Sequence, residues 1–125
     1  MNFLYVFLGG GAGSLCRYAI ALYLKKQDFV FPAATLVANI LACLILGFLF
    51  AFAANGKLSE TQKLLLMTGF CGGFSTFSTF SAETFALIQN GNMVYALLNV
   101  LLSVAICLIN IYIGYHLAQQ FIVVK

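Results

Sequence analysis

Charge is what this chain of 125 residues has least of: 7% of its residues are Asp, Glu, Lys or Arg, against roughly one quarter in a soluble globular domain. Hydrophobic residues make up 63% and mean hydropathy is +1.04, so water is not the solvent this chain is built for. The six Lys and Arg are scattered, and the net charge of +3 does not gather into the basic patch that neutralises a row of phosphates; nucleic acid is excluded as a partner. There is one histidine, His116, with no Ser or Asp placed to complete a triad, and it reads as a satisfied or interfacial side chain. The four cysteines, Cys16, Cys43, Cys71 and Cys107, fall one per apolar stretch without CxxC or Cys/His metal spacing, and read as small apolar interface residues. No nucleotide motif is present, and no nucleophile, base and metal constellation supports an enzyme.

A spanning helix needs about 20 consecutive, mostly apolar residues. The few charges divide the chain into four such stretches, Asn2 to Leu24, Phe31 to Ala54, Leu64 to Gln89 and Asn92 to Val124. The first has no basic residue before its apolar run and carries Arg17 inside it, so it is expected to stay in the protein rather than leave as a signal peptide. The connections, near Lys25 to Val30, Asn55 to Lys63 and Asn90 to Gly91, leave no room for a second domain, and residues 1–125 are expected to form a single four-helix transmembrane domain. With four spans, one side carries Lys57, Lys63 and Lys125 and the other Lys25 and Lys26, with Arg17 counting toward that end. Cytoplasmic loops are normally richer in Lys and Arg. A near tie leaves two readings, a weak single orientation or insertion both ways with pairing to an inverted copy. Four helices also fill their own centre, which favours an oligomer for any enclosed path.

Span 1 carries Gly9, Gly10, Gly11 and Gly13, with Gly9 and Gly13 at the spacing that lets backbones approach in lipid. Arg17 within a span either snorkels to the interface or faces an aqueous cavity, where it would attract anions. Span 2 opens after the only proline, Pro32, and sets Thr35 and Asn39 one turn apart on one face. Asn39 reads as an interhelical bond or as a neutral donor to an anion.

Span 3 holds the densest information, Gly69 to Glu83, GFCGGFSTFSTFSAE, where glycines, hydroxyls and aromatics sit at the expected midplane. Gly72 and Gly73 followed by Ser and Thr are weak helix formers, and a break is expected there. Non-helical backbone at membrane depth survives only beside protein or a water-filled cavity, and broken helices offer freed carbonyls to cations and freed N–H groups to anions. Phe74, Phe77 and Phe80 recur every three residues, as a packing stripe or as ring edges turned to an anion. Ser78, Thr79 and Ser81 add hydroxyl donors. Glu83, the only acid within a span, sits at an interface or caps the next segment. In span 4, Asn99, Ser103, Cys107 and Asn110 fall on one narrow face, as a helix contact or a wall of the path.

The span 3 run, the Gly9 to Tyr18 stretch GGGAGSLCRY and Thr35-Leu-Val-Ala-Asn39 together resemble the Fluc (CrcB) fluoride channel family, in order and spacing over nearly the whole chain. The resemblance implies an all-α membrane protein with a break in the third helix, assembled as an antiparallel, dual-topology homodimer in the bacterial inner membrane. It implies two fluoride pores and a structural sodium ion (Na+) at the dimer centre. Phe77 and Phe80 match the phenylalanines whose ring edges face fluoride, Asn39 the pore asparagine, and Ser78 and Thr79 the hydroxyl track. Asn99, Ser103 and Cys107 are the candidates for the span 4 track. Gly72 and Ser75 match the positions whose backbone carbonyls hold sodium, and Arg17 and Glu83 also fall on family positions. Ala34 stands where many members have Gly, and Cys107 is a poor donor in the outer track. The implied activity is passive fluoride export down its electrochemical gradient. A small multidrug antiporter would need a carboxylate in span 1, which has none; an accessory subunit of a larger complex is the structural alternative.

Overall fold

The computed structural model describes residues 1–25 and 30–123; Lys26 within the first connection, Val124 and Lys125 lie outside them. Every regular element among the described residues is helical. Among the described residues three helices are long and apolar enough to cross a membrane: α1 (Asn2–Lys25), α2 (Ala33–Ala54) and α6 (Met93–Val123). Between α2 and α6 the chain runs through α3 (Glu60–Gln62), a π-helical stretch (Lys63–Cys71), α4 (Gly72–Phe74) and α5 (Phe77–Gln89). Pro32 immediately precedes α2, and its carbonyl accepts from the Leu36 N–H at 3.3 Å. Ser59 and Gln62 start α3 with a reciprocal capping box, each side chain bonding the other residue's backbone N–H. The turns before α3 and α6 use Gly56 and Gly91 at φ +68° and +77°, where a Cβ would be strained.

Two glycine seams hold the helices together. In the first, α1 lies against residues 63–74: a Cβ on Gly9 would collide with the Leu65 carbonyl, one on Gly13 with the Phe70 carbonyl, and one on Gly73 with the Gly10 carbonyl. Gly9 lies between Leu65 and Phe70 and Gly13 between Phe70 and Phe74, so the two segments run parallel. In the second seam, α2 and α6 make the most extensive contact of the fold, with Gly47 against the Ile111 carbonyl and Gly114 against the Leu44 carbonyl. These helices are parallel too: Asn39 and Cys43 line one cavity with Ser103 and Cys107, and further along both helices Phe48 meets Phe121. Lipid gives no hydrophobic drive to helix pairing, and close backbone approach at small residues supplies van der Waals contact instead. The apolar core where the seams meet is Ala38, Ala42 and Phe74, flanked by Ile20, Ile45 and Phe70.

Gly72 and Gly73 remain helical, with Gly72 at φ −65° and ψ −36°. The extended residues lie further on: Ser75 has φ −77° and ψ 156°, Thr76 φ −150° and ψ 119°. The glycine pair answers a packing need, since Gly73 lies against α1. Helical geometry ends where Thr76 turns its hydroxyl forward to accept the Thr79 N–H at 3.2 Å, which caps α5.

Candidate functional site

Asn39 and Thr76 pair like neighbouring strand residues. The Thr76 N–H donates to Asn39 Oδ1 at 2.8 Å, and Asn39 Nδ2 donates to the Thr76 carbonyl at 3.3 Å. One amide side chain on α2 therefore satisfies both backbone groups that the non-helical step at Thr76 would leave open. The second Nδ2 hydrogen of Asn39 is left over for another acceptor.

Beside this pair lies a cavity of about 260 Å³ lined by Asn39 and Cys43 of α2, Ser75 and Thr76, Phe77 and Phe80 of α5, and Ser103, Val104 and Cys107 of α6. Phe77 and Phe80 have ring centroids 5.5 Å apart with planes inclined by 39°. Phe74 has left the stripe: it is buried in the core and packs its ring 5.5 Å from Phe70. The two extended residues after it reorient the chain, which divides a period-three run into one packing ring and two cavity rings. Phe77 is 80% exposed in the single chain, and the Ser78 and Ser81 side chains beside it are exposed as well.

Hydroxyls surround the rings. Thr76 Oγ1 donates to Thr79 Oγ1 at 3.1 Å and lies 3.3 Å from Ser78 Oγ, so Ser78 and Thr79 are tied to the cap rather than lining the cavity directly. A second chain of bonds enters from α6. Ser103 donates to Asn99 Oδ1 at 3.4 Å, Asn99 Nδ2 to Thr84 Oγ1 at 2.8 Å, and Thr84 Oγ1 to the Phe80 carbonyl at 2.8 Å. Asn99 is only 2% exposed and joins Ser103 to the helix that bears the rings. Asn110, the last residue of the face read from the sequence, turns back to the Ile106 carbonyl of its own helix.

Arg17 and Glu83 stand apart from the cavity. Arg17 Nε donates at 3.2 Å to the Gly73 carbonyl, which also accepts from Ser14 Oγ at 3.4 Å, so a cation closes the carbonyl end of α4. Glu83 Oε1 accepts from Thr35 Oγ1 at 2.8 Å; its Oε2 is buried without a protein partner among the described residues. Glu83 lines a separate pocket of about 200 Å³ with Val30, Pro32 and Asn90. Gly72 is exposed and open on the side where a Cβ would stand, and Ser75 folds its hydroxyl back onto the Cys71 carbonyl at 2.9 Å. Among the described residues no three His, Cys, Asp or Glu side chains converge.

The structure thus brings Asn39, Ser75, Phe77, Phe80 and Ser103 to one cavity. Thr76, Thr84 and Cys43 are additions that sequence reasoning did not single out. A signal existed for Thr76, which stands three residues before Thr79 at the start of an apolar helix, in the N-cap position.

Several proteins are similar to this chain over nearly its whole length. A "Fluoride-specific ion channel FluC" of Coxiella burnetii (strain CbuK_Q154) is 44% identical over 126 residues, covering 96% of this chain and 99% of the relative. Proteins of the same name from Desulfotalea psychrophila and Pyrococcus furiosus are 38% and 42% identical, covering 98% and 92% of this chain and 95% and 94% of their own lengths. The profile of the CrcB-like protein family, Camphor Resistance (CrcB), matches residues 4–115, and this multi-pass membrane protein belongs to that family of ion channels.

Proposed function

We propose that this chain is a fluoride-selective channel of the bacterial inner membrane, passing fluoride out of the cell down its electrochemical gradient without a coupled ion or nucleotide. The observation that carries the reading is the neutral cavity at Thr76, where an amide, hydroxyls and two aromatic rings meet with no formal charge on any lining side chain. Fluoride is small and strongly hydrated. A path for it must replace water with donors, yet a buried cation would hold it too firmly for release. The free Nδ2 hydrogen of Asn39, the Ser103 hydroxyl and the positive edges of Phe77 and Phe80 meet both demands. Ser78 and Thr79 continue the hydroxyls beside the rings, and the α5 N-terminus adds a favourable dipole.

The working unit in this reading is an antiparallel homodimer with dual topology. Residues 60–89 supply the fourth crossing, interrupted at Ser75 and Thr76. The near tie in Lys and Arg supports insertion in both directions, and exposed Phe77, Ser78 and Ser81 give a second copy a polar and aromatic face to cover. Two-fold symmetry then yields two pores.

A sodium ion fits at the axis of such a dimer. Hard cations take oxygen ligands, and the carbonyl of Gly72, an exposed residue, with that of Ser75, at the negative end of α4, provides them from each copy. When bound, sodium would neutralise two facing sets of carbonyls. Arg17, already engaged by Gly73, serves structure first, and Glu83 with Thr35 borders the mouth between α2 and α5.

The test is fluoride and chloride efflux from liposomes that contain only this protein, supplied with sodium. Rapid fluoride loss without chloride loss is expected. Retention of both ions by protein shown to be dimeric would overturn the reading in favour of an accessory subunit.

A further inference from the structure

The cavity wall carries a second chemistry that fluoride has no use for. On α2, Asn39 is followed one turn later by Cys43; on α6, Ser103 is followed one turn later by Cys107, and all four line the same cavity. Because α2 and α6 run parallel, with Gly47 against Ile111 one turn beyond, the lining is layered. An amide and a hydroxyl form one layer, and two thiols form the next. Both cysteines are free and half-buried.

A thiol is a weak hydrogen-bond donor and gives little to a small, hard anion. Thiolates, in contrast, are soft ligands that select soft metal ions such as Cu(I). Ions of that class are satisfied by two sulfurs in a line, so two cysteines on facing helices suffice where zinc would require four ligands.

We propose that Cys43 and Cys107 form a two-sulfur site for one thiophilic cation of the Cu+, Ag+ and Hg2+ class, and that filling it closes the ion path beside Phe80. The closure rests on the fluoride channel reading; the binding does not. With Hg2+ both S–H bonds break, two S–Hg bonds form, two protons leave to water, and no redox change occurs. The bridge is then neutral and blocks by occupancy. With Ag+ or Cu+ the same exchange leaves one net negative charge in the wall, which also repels an entering anion in a low-dielectric setting.

The test uses the whole purified protein, with Hg2+ as probe. Titration in detergent is followed by the sulfur-to-mercury charge-transfer absorbance and by proton release, and fluoride efflux is followed in liposomes. The expected result is two protons released per Hg2+ bound at the first equivalent, with more than tenfold loss of efflux that excess dithiol restores. Cys16→Ser, a change on exposed α1, behaves as the parent protein does. Cys43→Ser and Cys107→Ser, each compared with its own untreated rate, need about 100-fold more Hg2+ for the same block, because chelation is lost. Block of either variant at the parent's concentration would overturn the site, and two-proton binding that leaves efflux unchanged would overturn the closure. Protein that passes no fluoride before Hg2+ is added refutes the channel reading and with it the closure, while absorbance and proton release still decide whether the thiol pair binds.

Discussion

Replacing Asn39 with Ala is the perturbation that most directly tests how the cavity is held. The change removes the Oδ1 that accepts from the Thr76 N–H at 2.8 Å and the Nδ2 that donates to the Thr76 carbonyl at 3.3 Å. Each buried backbone group left without a partner costs about 1–3 kcal/mol. The longer bond counts for less, so the pair sums to about 2–4 kcal/mol, a factor of about 30 to 700 in a local opening equilibrium. A cavity of about 260 Å³ adjoins both groups and has room for water, which places the expectation at the lower end. Hydrogen exchange at the Thr76 amide should therefore accelerate about 30-fold or more in Asn39→Ala, while amides of the α1 seam keep their protection. Fluoride efflux should fall in parallel, as the ring pair loses its anchor and the path loses a donor. Unchanged exchange at Thr76 would refute the clamp, whatever happened to flux. Faster exchange with undiminished flux would separate the clamp from conduction and remove Asn39 from the path.

Other perturbations probe other parts of the same account. Phe80→Ile keeps bulk but removes the ring edge, and efflux should drop while dimer size on gel filtration stays the same; normal efflux would discard the aromatic-edge role. Gly47→Ala puts a methyl group against the Ile111 carbonyl, with backbone and no flexible side chain to yield. A loss of about 1–3 kcal/mol is expected, read as a lower melting temperature in detergent; an unchanged melt would mean that the α2–α6 seam relaxes freely. Thr76→Val deletes the α5 cap and should cost about 1 kcal/mol, with Thr76→Ser restoring it in the same melt; equal melting of all three would leave the cap without energetic weight. Replacing sodium by a bulky organic cation should slow efflux, and indifference to the exchange would remove the carbonyl site at Gly72 and Ser75 from the mechanism.

The apolar helices were legible in the sequence because lipid imposes a length and a composition on each of them. Ends moved by a residue or two, as at Ala33, which follows Pro32 rather than Phe31. Membership of the family was equally legible, since the span 3 run concentrates residue types that a plain apolar helix has no reason to combine. Harder to read was which of those residues does what. Gly72 and Gly73 are intrinsically poor helix formers, but Gly73 lies against Gly10 on α1, a tertiary demand that propensity does not contain, and both stay helical. Phe74, Phe77 and Phe80 look alike in sequence and are separated by two residues of extended backbone. Asn39 suggested a bond to another helix or a donor to an anion, and its meeting with the Thr76 backbone, 37 positions away, has no signature in the sequence. Cys43 resembled the other three cysteines because helix phase shows which residues share a face, and not which helix that face meets.

The two parallel seams bear on how such a chain assembles as it leaves the ribosome. Residues 63–74 find their glycine partners on α1, a helix already made, so the first seam can close as soon as that stretch enters the membrane. The second cannot, because Gly47 and Leu44 on α2 wait for Ile111 and Gly114 on α6. Thr84 likewise waits for Asn99. Until α6 arrives, α5 has little to rest on, and the rings it carries are the last part of the protein to be positioned. The ion-handling half is thus finished only once α6 has been made, and a nascent chain halted before Met93 would hold one closed seam and no pathway.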